Sequence, residues 1–155
     1  MIVVPSIRLA TAKDAYAIAE MSRGQIEHGL GWSWTAPRVL RAIRHSSTNV
    51  VVAHETDELV GFGIMDYGES KAHLALLAVH PERRESGIGR RVLEWLETCA
   101  RTAGLECIEL EARADNPVAL GFYALLGFER TGTVPGYYQG RIDALRLRKW
   151  LVAQS

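Results

Sequence analysis

The sequence predicts an α/β domain built on a mixed sheet. Three observations carry that prediction: 155 residues without repeat or linker, apolar runs of strand length spaced along the chain, and amphipathic helical stretches set between them. A chain this long makes one ordinary domain, here residues 1–155, and buries about 70% of its unfolded surface, so its core needs no staples. A composition of 48% hydrophobic and 23% charged residues fits a globular protein rather than a disordered or fibrous one.

The elements follow in order. Residues 6–10 read as a short strand. Thr11 and Asp14 stand at capping-box spacing before Ala15, Ile18, Ala19 and Ser22, which share one helical face. Residues 25–34 hold two glycines and two tryptophans without helical period and read as a loop. Thr35 can cap a short second helix carrying Val39, Leu40 and Ile43. Residues 50–54 and 59–65 flank the polar Glu55-Thr56-Asp57-Glu58 as a hairpin. Residues 74–79 are almost continuously apolar, as a central strand buried on both faces must be, and Pro81 ends it. After Gly87, Ile88, Val92, Trp95, Leu96, Cys99 and Ala103 recur at helical spacing opposite Arg90, Arg91, Glu94, Glu97 and Arg101, giving the longest helix. Residues 107–112 form a strand. Asn116 caps a helix with Pro117 in its first turn, with Ala119, Phe122, Tyr123 and Leu126 on one face and Gly127 as its stop. Residues 128–134 and 143–147 close the chain as strands. The order is β-α-α-β-β-β-α-β-α-β-β.

Composition also excludes classes of function. Eighteen Lys plus Arg balance 18 Asp plus Glu, so no general field draws in nucleic acid or an anionic membrane, and any anion site is local. No apolar run is long enough for a transmembrane helix and the first five residues are too short and uncharged for a signal peptide, so the expected compartment is the cytoplasm. Cys99 and Cys107 make neither a Cys-x-x-Cys pair nor a ligand set and read as reduced packing residues. The five histidines show no ligand spacing, and no metal is expected.

The chemistry concentrates in Arg83-Arg84-Glu85-Ser86-Gly87-Ile88-Gly89-Arg90-Arg91, between the central strand and the longest helix. Glycines there let the backbone approach a ligand, and first-turn amides without intrahelical partners point at an anion that the helix dipole favours. Val92 stands where a dinucleotide fingerprint needs a third Gly or Ala, and the Gly-Lys-Ser/Thr of a P-loop is missing. A plain strand-to-helix turn with exposed arginines is the other reading of these residues.

Here the sequence resembles the GCN5-related N-acetyltransferase family. Arg84-Glu85-Ser86-Gly87-Ile88-Gly89 is similar to that family's Arg/Gln-x-x-Gly-x-Gly/Ala signature, and Leu76-Leu77-Ala78-Val79-His80-Pro81 to its fourth strand. Asn116, Tyr123 and Gly127-Phe128 are similar to its Asn-x-x-Ala-x-x-x-Tyr-x-x-x-Gly-Phe segment. The resemblance covers residues 7–150. It implies a single-domain GNAT-like fold with helices on both faces of the sheet and strands 4 and 5 splayed apart. It also implies acetyl coenzyme A as donor, its pyrophosphate held by Arg84, Glu85, Ser86, Gly87, Ile88, Gly89 and Arg90, and its pantetheine along Leu77, Ala78 and Val79, with Asn116 and Tyr123 alongside.

Acetyl transfer to an amine needs a neutral nucleophile, a donor for the carbonyl oxygen and an acid for the departing thiolate. The family places a tyrosine at Tyr123 within reach of the sulfur, which makes it the acid; its apolar helix face also permits a core role. Glu109 and Glu111 share one face of their strand. Leu110-Glu111-Ala112-Arg113-Ala114-Asp115-Asn116 resembles a stretch of the bacterial ribosomal-protein alanine N-acetyltransferases, the RimI group, whose Glu is the base, so Glu111 is the candidate base. The alternative is an edge carboxylate paired with Arg113. The backbone N–H of Val79 or its neighbour is the expected oxyanion donor.

An α-amine of pKa about 8 is roughly 10% neutral at pH 7, whereas a lysine near 10.4 is almost wholly charged, so a carboxylate base suits a protein N-terminus. Trp32 and Trp34 in one loop and Tyr137 and Tyr138 in a turn are the candidate acceptor-binding residues. The RimI group carries a similar Tyr-Tyr pair, though Ser33 here stands where it often has Pro, and Ile142 where Glu commonly precedes the Asp. One or both tryptophans folding onto the core is the competing reading. The expectation is therefore an acetyl-CoA-dependent N-acetyltransferase acting on a protein N-terminal α-amine in a ternary complex. The alternatives are acetylation of a small amine and a non-catalytic coenzyme A sensor. Expected partners are acetyl-CoA and the amine, with a homodimer allowed.

Overall fold

The computed structural model describes residues 4–153. Its strands are β1 Ser6–Leu9, β2 Thr48–Glu55, β3 Glu58–Tyr67, β4 Lys71–Val79, β5 Cys107–Arg113, β6 Glu129–Tyr138 and β7 Ile142–Trp150. Its helices are α1 Ala15–Gln25, α2 Ala36–Arg44, α3 Ile88–Thr102 and α4 Pro117–Leu125. They form one mixed sheet in the order β1-β2-β3-β4-β5-β7-β6, antiparallel except for β4 and β5. The element order is the one the sequence predicts.

Local chemistry sets the helix starts. The Asp14 carboxylate accepts from the Thr11 N–H at 2.8 Å and pairs with Arg8 at 2.8 Å. Asn116 Oδ1 accepts from the Ala119 N–H at 3.1 Å. Thr35 stands at the start of α2 in extended conformation, but its side chain makes no capping bond.

Helices cover both faces. On one side Val92, Leu93, Leu96 and Ala100 of α3 join Leu74, Ile108, Leu110 and Tyr123 in a core; on the other, Ile18, Ala19 and Val39 pack over Phe62 and Ile64. The buried stripe of α3 differs from the expected one. Leu93 and Ala100 face the sheet, whereas Trp95 and Cys99 lie at its flank and Ala103 is exposed beyond the helix end. Close approach of α3 requires glycines on β3: a Cβ on Gly63 would lie 2.8 Å from Leu96 Cδ1.

Two irregularities shape the middle of the sheet. Met65 faces Leu74 while Ile64 faces Leu76, so Ala75 is an extra residue that bulges β4. Pairing of β4 with β5 runs only from Lys71↔Cys107 to Leu74↔Leu110, although β4 continues to Val79 and β5 to Arg113. The two strands part there, which is the expected splay. At the far edge, β6 extends through Pro135-Gly136 to Tyr138, where the sequence reads as a turn. Gly136 at φ 63° forms a bulge and donates its N–H to Asp143 Oδ1 at 2.9 Å. Pro135 is tolerated because β6 is an edge strand. No helix of the described residues is long and apolar enough to cross a membrane.

Candidate active site

The gap between β4 and β5 is lined by backbone groups. His80 donates its N–H to Val60 O at 2.8 Å, and antiparallel alternation then turns the N–H groups of Val79 and Leu77 away from β3, toward the gap. The turn that follows uses two left-handed residues, Glu85 at φ 67° and Gly87 at φ 86°. None of the N–H groups from Glu85 to Arg90 reaches a protein acceptor among the described residues; the first helical bond of α3 is Arg91 N–H to Gly87 O at 3.0 Å. These amides, with the positive end of a 15-residue helix behind them, fit a polyanionic pyrophosphate. Arg84 is tied to Gln25 at 2.6 Å and Arg90 to Glu94 at 2.7 Å. Gly89 serves packing as well: its Cβ would lie 3.2 Å from Val79 Cγ2 and 3.3 Å from Phe122 Cζ. Asn116 has its oxygen committed to the cap of α4.

Glu111 lies just past the last β4–β5 pair, with its side chain largely buried. Its Oε1 accepts from Tyr137 Oη at 3.1 Å and lies 2.7 Å from His73 Nε2, and its Oε2 is 3.4 Å from Arg146 Nε. The His73 bond holds the carboxyl below its ordinary pKa against the opposing effect of burial, and the same bond raises the pKa of His73. Arg113, its sequence-based alternative partner, turns instead to Asp115 at 2.9 Å. Glu109, the other carboxylate on this face, is engaged by Lys71 at 2.8 Å and Arg148 at 2.7 Å. Sequence reading missed His73 and Arg146, whose approach to Glu111 depends on strand register alone.

Tyr123 is buried in an aromatic cluster, with ring centroids 5.2 Å from Phe122 and 5.5 Å from Phe128. Burial pushes its phenol pKa up, so it stays protonated. Its hydroxyl makes no hydrogen bond among the described residues. Leu110 and Ala112 share the core of Tyr123, so Glu111 between them points to the opposite side of β5. Tyr138 donates to the Glu111 carbonyl at 3.2 Å.

The two aromatic segments meet on the Glu111 side. The Gly31 N–H donates to Gln139 Oε1 at 2.8 Å and Gln139 Nε2 donates to Gly31 O at 2.7 Å, so the β6–β7 turn is clamped to the α1–α2 loop. The buried Glu27 carboxylate holds that loop from within, accepting from the Ser33 N–H at 2.8 Å, the Trp34 N–H at 3.2 Å and the Ser33 hydroxyl. Arg113 reaches across to the carbonyls of Ile26 and His28 at 3.0 and 2.8 Å. Trp34 folds partly onto the core beneath Arg38, while Trp32 stays 36% exposed with Arg23 over its ring. Tyr137 and Tyr138 pack edge to face at 4.9 Å. Among the described residues no group of three or more His, Cys, Asp or Glu is placed to hold a metal.

The chain is similar to known proteins in sequence and in fold. A curated but uncharacterized protein of Mycobacterium leprae (strain TN) is 37% identical over 122 residues, 75% of this chain and 33% of that protein. A ribosomal protein bS18-alanine N-acetyltransferase of Salmonella typhimurium (strain LT2) is 35% identical over 92 residues, 57% of this chain and 62% of that enzyme. The matches thus span a third and less than two thirds of these relatives' lengths. The crystal structure of Ard1 from Thermoplasma volcanium shares the fold at a TM-score of 0.85 and 24% identity, covering 97% of this chain and 100% of that one. A profile described as the acetyltransferase (GNAT) family matches residues 14–128, and the chain belongs to that family.

Proposed function

We propose that this protein is an acetyl-CoA-dependent N-acetyltransferase whose acceptor is a protein N-terminal α-amine, with direct transfer in a ternary complex. The observation that carries the reading is the parting of β4 from β5. One gap joins a turn of free amides on the α3 side to an ionised carboxylate on the α1–α2 side.

In this reading the amide turn at 84–90 binds the pyrophosphate, and the N–H of Val79 receives the thioester oxygen as it gains charge. The amine attacks the acetyl carbon, the carbon–sulfur bond breaks, and the thiolate takes the proton of Tyr123. The proton lost by the amine goes to the His73–Glu111 pair. A carboxylate whose pKa is lowered is a weak base by itself, whereas a neutral imidazole backed by that carboxylate holds a proton near neutrality. Tyr137, Tyr138 and Trp32 flank the approach of the acceptor.

Support for the α-amine comes from the Leu110-to-Asn116 stretch and from the bS18-alanine N-acetyltransferase relative. The test is an acetylation screen of N-terminal peptides, lysine peptides and small amines, with thiol release and mass-spectrometric readout. Turnover of α-amine peptides well above the others is expected. Preferential turnover of a free small amine would move the acceptor class, and binding of coenzyme A without any turnover would leave a sensor.

A further inference from the structure

Helix α2 carries Arg38, Arg41 and Arg44 and no carboxylate, and His45 follows it. Val39 is fully buried and Leu40, Ala42 and Ile43 pack against the core. Arg41, Arg44 and His45 are left exposed and Arg38 half-buried. At 3.6 residues per turn, Arg38, Arg41 and His45 fall within an arc of about 60°.

Both ends of that arc reach the Glu111 side of the sheet. The Arg38 guanidinium lies 3.8 Å from the centre of the Trp34 ring, and its charge is felt by the Tyr137 hydroxyl, which donates to Glu111. His45 lines a cleft of about 390 Å³ with Lys71 and His73, and His73 is bonded to Glu111. The arc therefore runs alongside the acceptor approach.

Among the described residues Arg38, Arg23 and Arg141 have no carboxylate partner. Arg38 lies over the Trp34 ring and donates to the Ser33 carbonyl at 3.5 Å; Arg23 lies over Trp32, and Arg141 points to the Gly29 carbonyl. Of the nearby carboxylates, Glu109 is paired with Lys71 and Arg148 and Glu27 is turned into its loop. Asp66, which lines the cleft beside His45, accepts from the Thr48 hydroxyl at 2.6 Å and keeps its charge at that end of the arc. In a chain of zero formal charge this flank is a local basic wall.

We propose that this flank of α2 selects an acidic acceptor, a peptide carrying Asp or Glu in the residues that follow the acetylated amine. The inference rests on the α-amine reading above and names its sequence class. Same-side side chains of an extended peptide lie about 7 Å apart, and the arc from Arg38 to His45 rises about 10 Å, so it spans acids at two alternating positions. Single-stranded RNA fits less well, because guanidinium groups already cover the Trp32 and Trp34 rings on which bases would stack.

The experiment compares three equal-length peptides with the same N-terminal residue, followed by Asp-Gly-Glu, Asn-Gly-Gln or Lys-Gly-Arg so that the two variable side chains fall on one side, at low and high salt. The acidic peptide is expected to exceed the neutral one in kcat/KM by about three- to tenfold, the scale of one or two exposed charge pairs, with the basic one below both and the order compressed by salt. Arg41→Glu should invert the acidic-over-neutral order, whereas Arg130→Glu on β6 should leave it as in the wild type. Equal turnover of the three peptides, or an order indifferent to Arg41→Glu, overturns the proposal. So does competitive inhibition by a short RNA without discrimination among the peptides. Turnover of small amines with none of any peptide overturns the α-amine reading instead, and this inference with it.

Discussion

His73 Nε2 on β4 lies 2.7 Å from Glu111 Oε1 on β5, bridging the point at which the two strands part. Each group moves the other: the bond lowers the pKa of Glu111 and raises that of His73. For stability, the Glu111 contribution is present above its unfolded pKa of about 4.3 and lost as pH falls through its lower folded value. The His73 contribution is present below about 6.5 and lost as pH rises through its higher folded value. The pair therefore stabilises most between about pH 4.3 and 6.5, and His73→Gln should lower the melting temperature more at pH 5.5 than at pH 9.

The same pair predicts the pH dependence of turnover. If neutral His73 takes the amine proton, kcat/KM should rise through the raised His73 pKa, above about 6.5. Glu111→Gln removes the cause of that shift, so the limb should move to lower pH while the plateau falls about 10²-fold. A limb that stays in place in Glu111→Gln and follows the pKa of the acceptor amine would show that the substrate arrives neutral without help from the pair.

Tyr123→Phe separates chemistry from packing. The ring keeps its contacts with Phe122 and Phe128, and the hydroxyl gives up no hydrogen bond among the described residues. Melting should be nearly unchanged while turnover falls about 10²-fold. Tyr123→Ala should cost about 3–5 kcal/mol by emptying the cluster. Wild-type turnover in Tyr123→Phe, with chemistry rate-limiting, would return the residue to the core.

Much of this was legible in the sequence, and the parts that were not share a cause. Elements were readable because Ala15 and Ile18, or Val92 and Leu96, repeat at helical spacing, and because Asn116 and Gly87 mark boundaries by local chemistry. The partners of Glu111 were not, since His73 is 38 residues away and Arg146 35, and only the strand order and register bring them together. Glu27 likewise gave no signal in a glycine-rich loop, because its role lies in backbone N–H groups that any residue possesses. Pro135-Gly136 reads as a turn, yet at an edge a bulge lets the strand continue.

Gly87 and Gly89 should respond differently. At Gly87 there is open space for a Cβ but a φ of 86°, so Gly87→Ala should cost about 1–2 kcal/mol and raise the apparent acetyl-CoA constant severalfold as the amide turn shifts. Gly89 meets Val79 and Phe122, so Gly89→Val should cost about 1–3 kcal/mol by overpacking and weaken acetyl-CoA through the gap wall as well. Acceptor constants should change little in Gly87→Ala. Unchanged acetyl-CoA affinity in both variants, measured by titration, would remove the turn from the cofactor site.

Glu27→Ala tests whether the α1–α2 loop serves the acceptor. The carboxylate is 5% exposed and accepts from the Ser33 and Trp34 amides and the Ser33 hydroxyl. Removing it orphans those donors, at a cost of about 2 kcal/mol for charge-assisted bonds, or about 4–8 °C in melting temperature for a chain of this size. The loop also carries Trp32 and is clamped to the β6–β7 turn through Gly31 and Gln139. Its loosening should therefore raise the acceptor KM severalfold while the acetyl-CoA constant stays put, because the amide turn belongs to the other side of the gap. Glu27→Gln keeps one acceptor oxygen and should recover part of both losses. If melting falls as expected and the acceptor KM does not move, the loop shapes the fold and not the acceptor site.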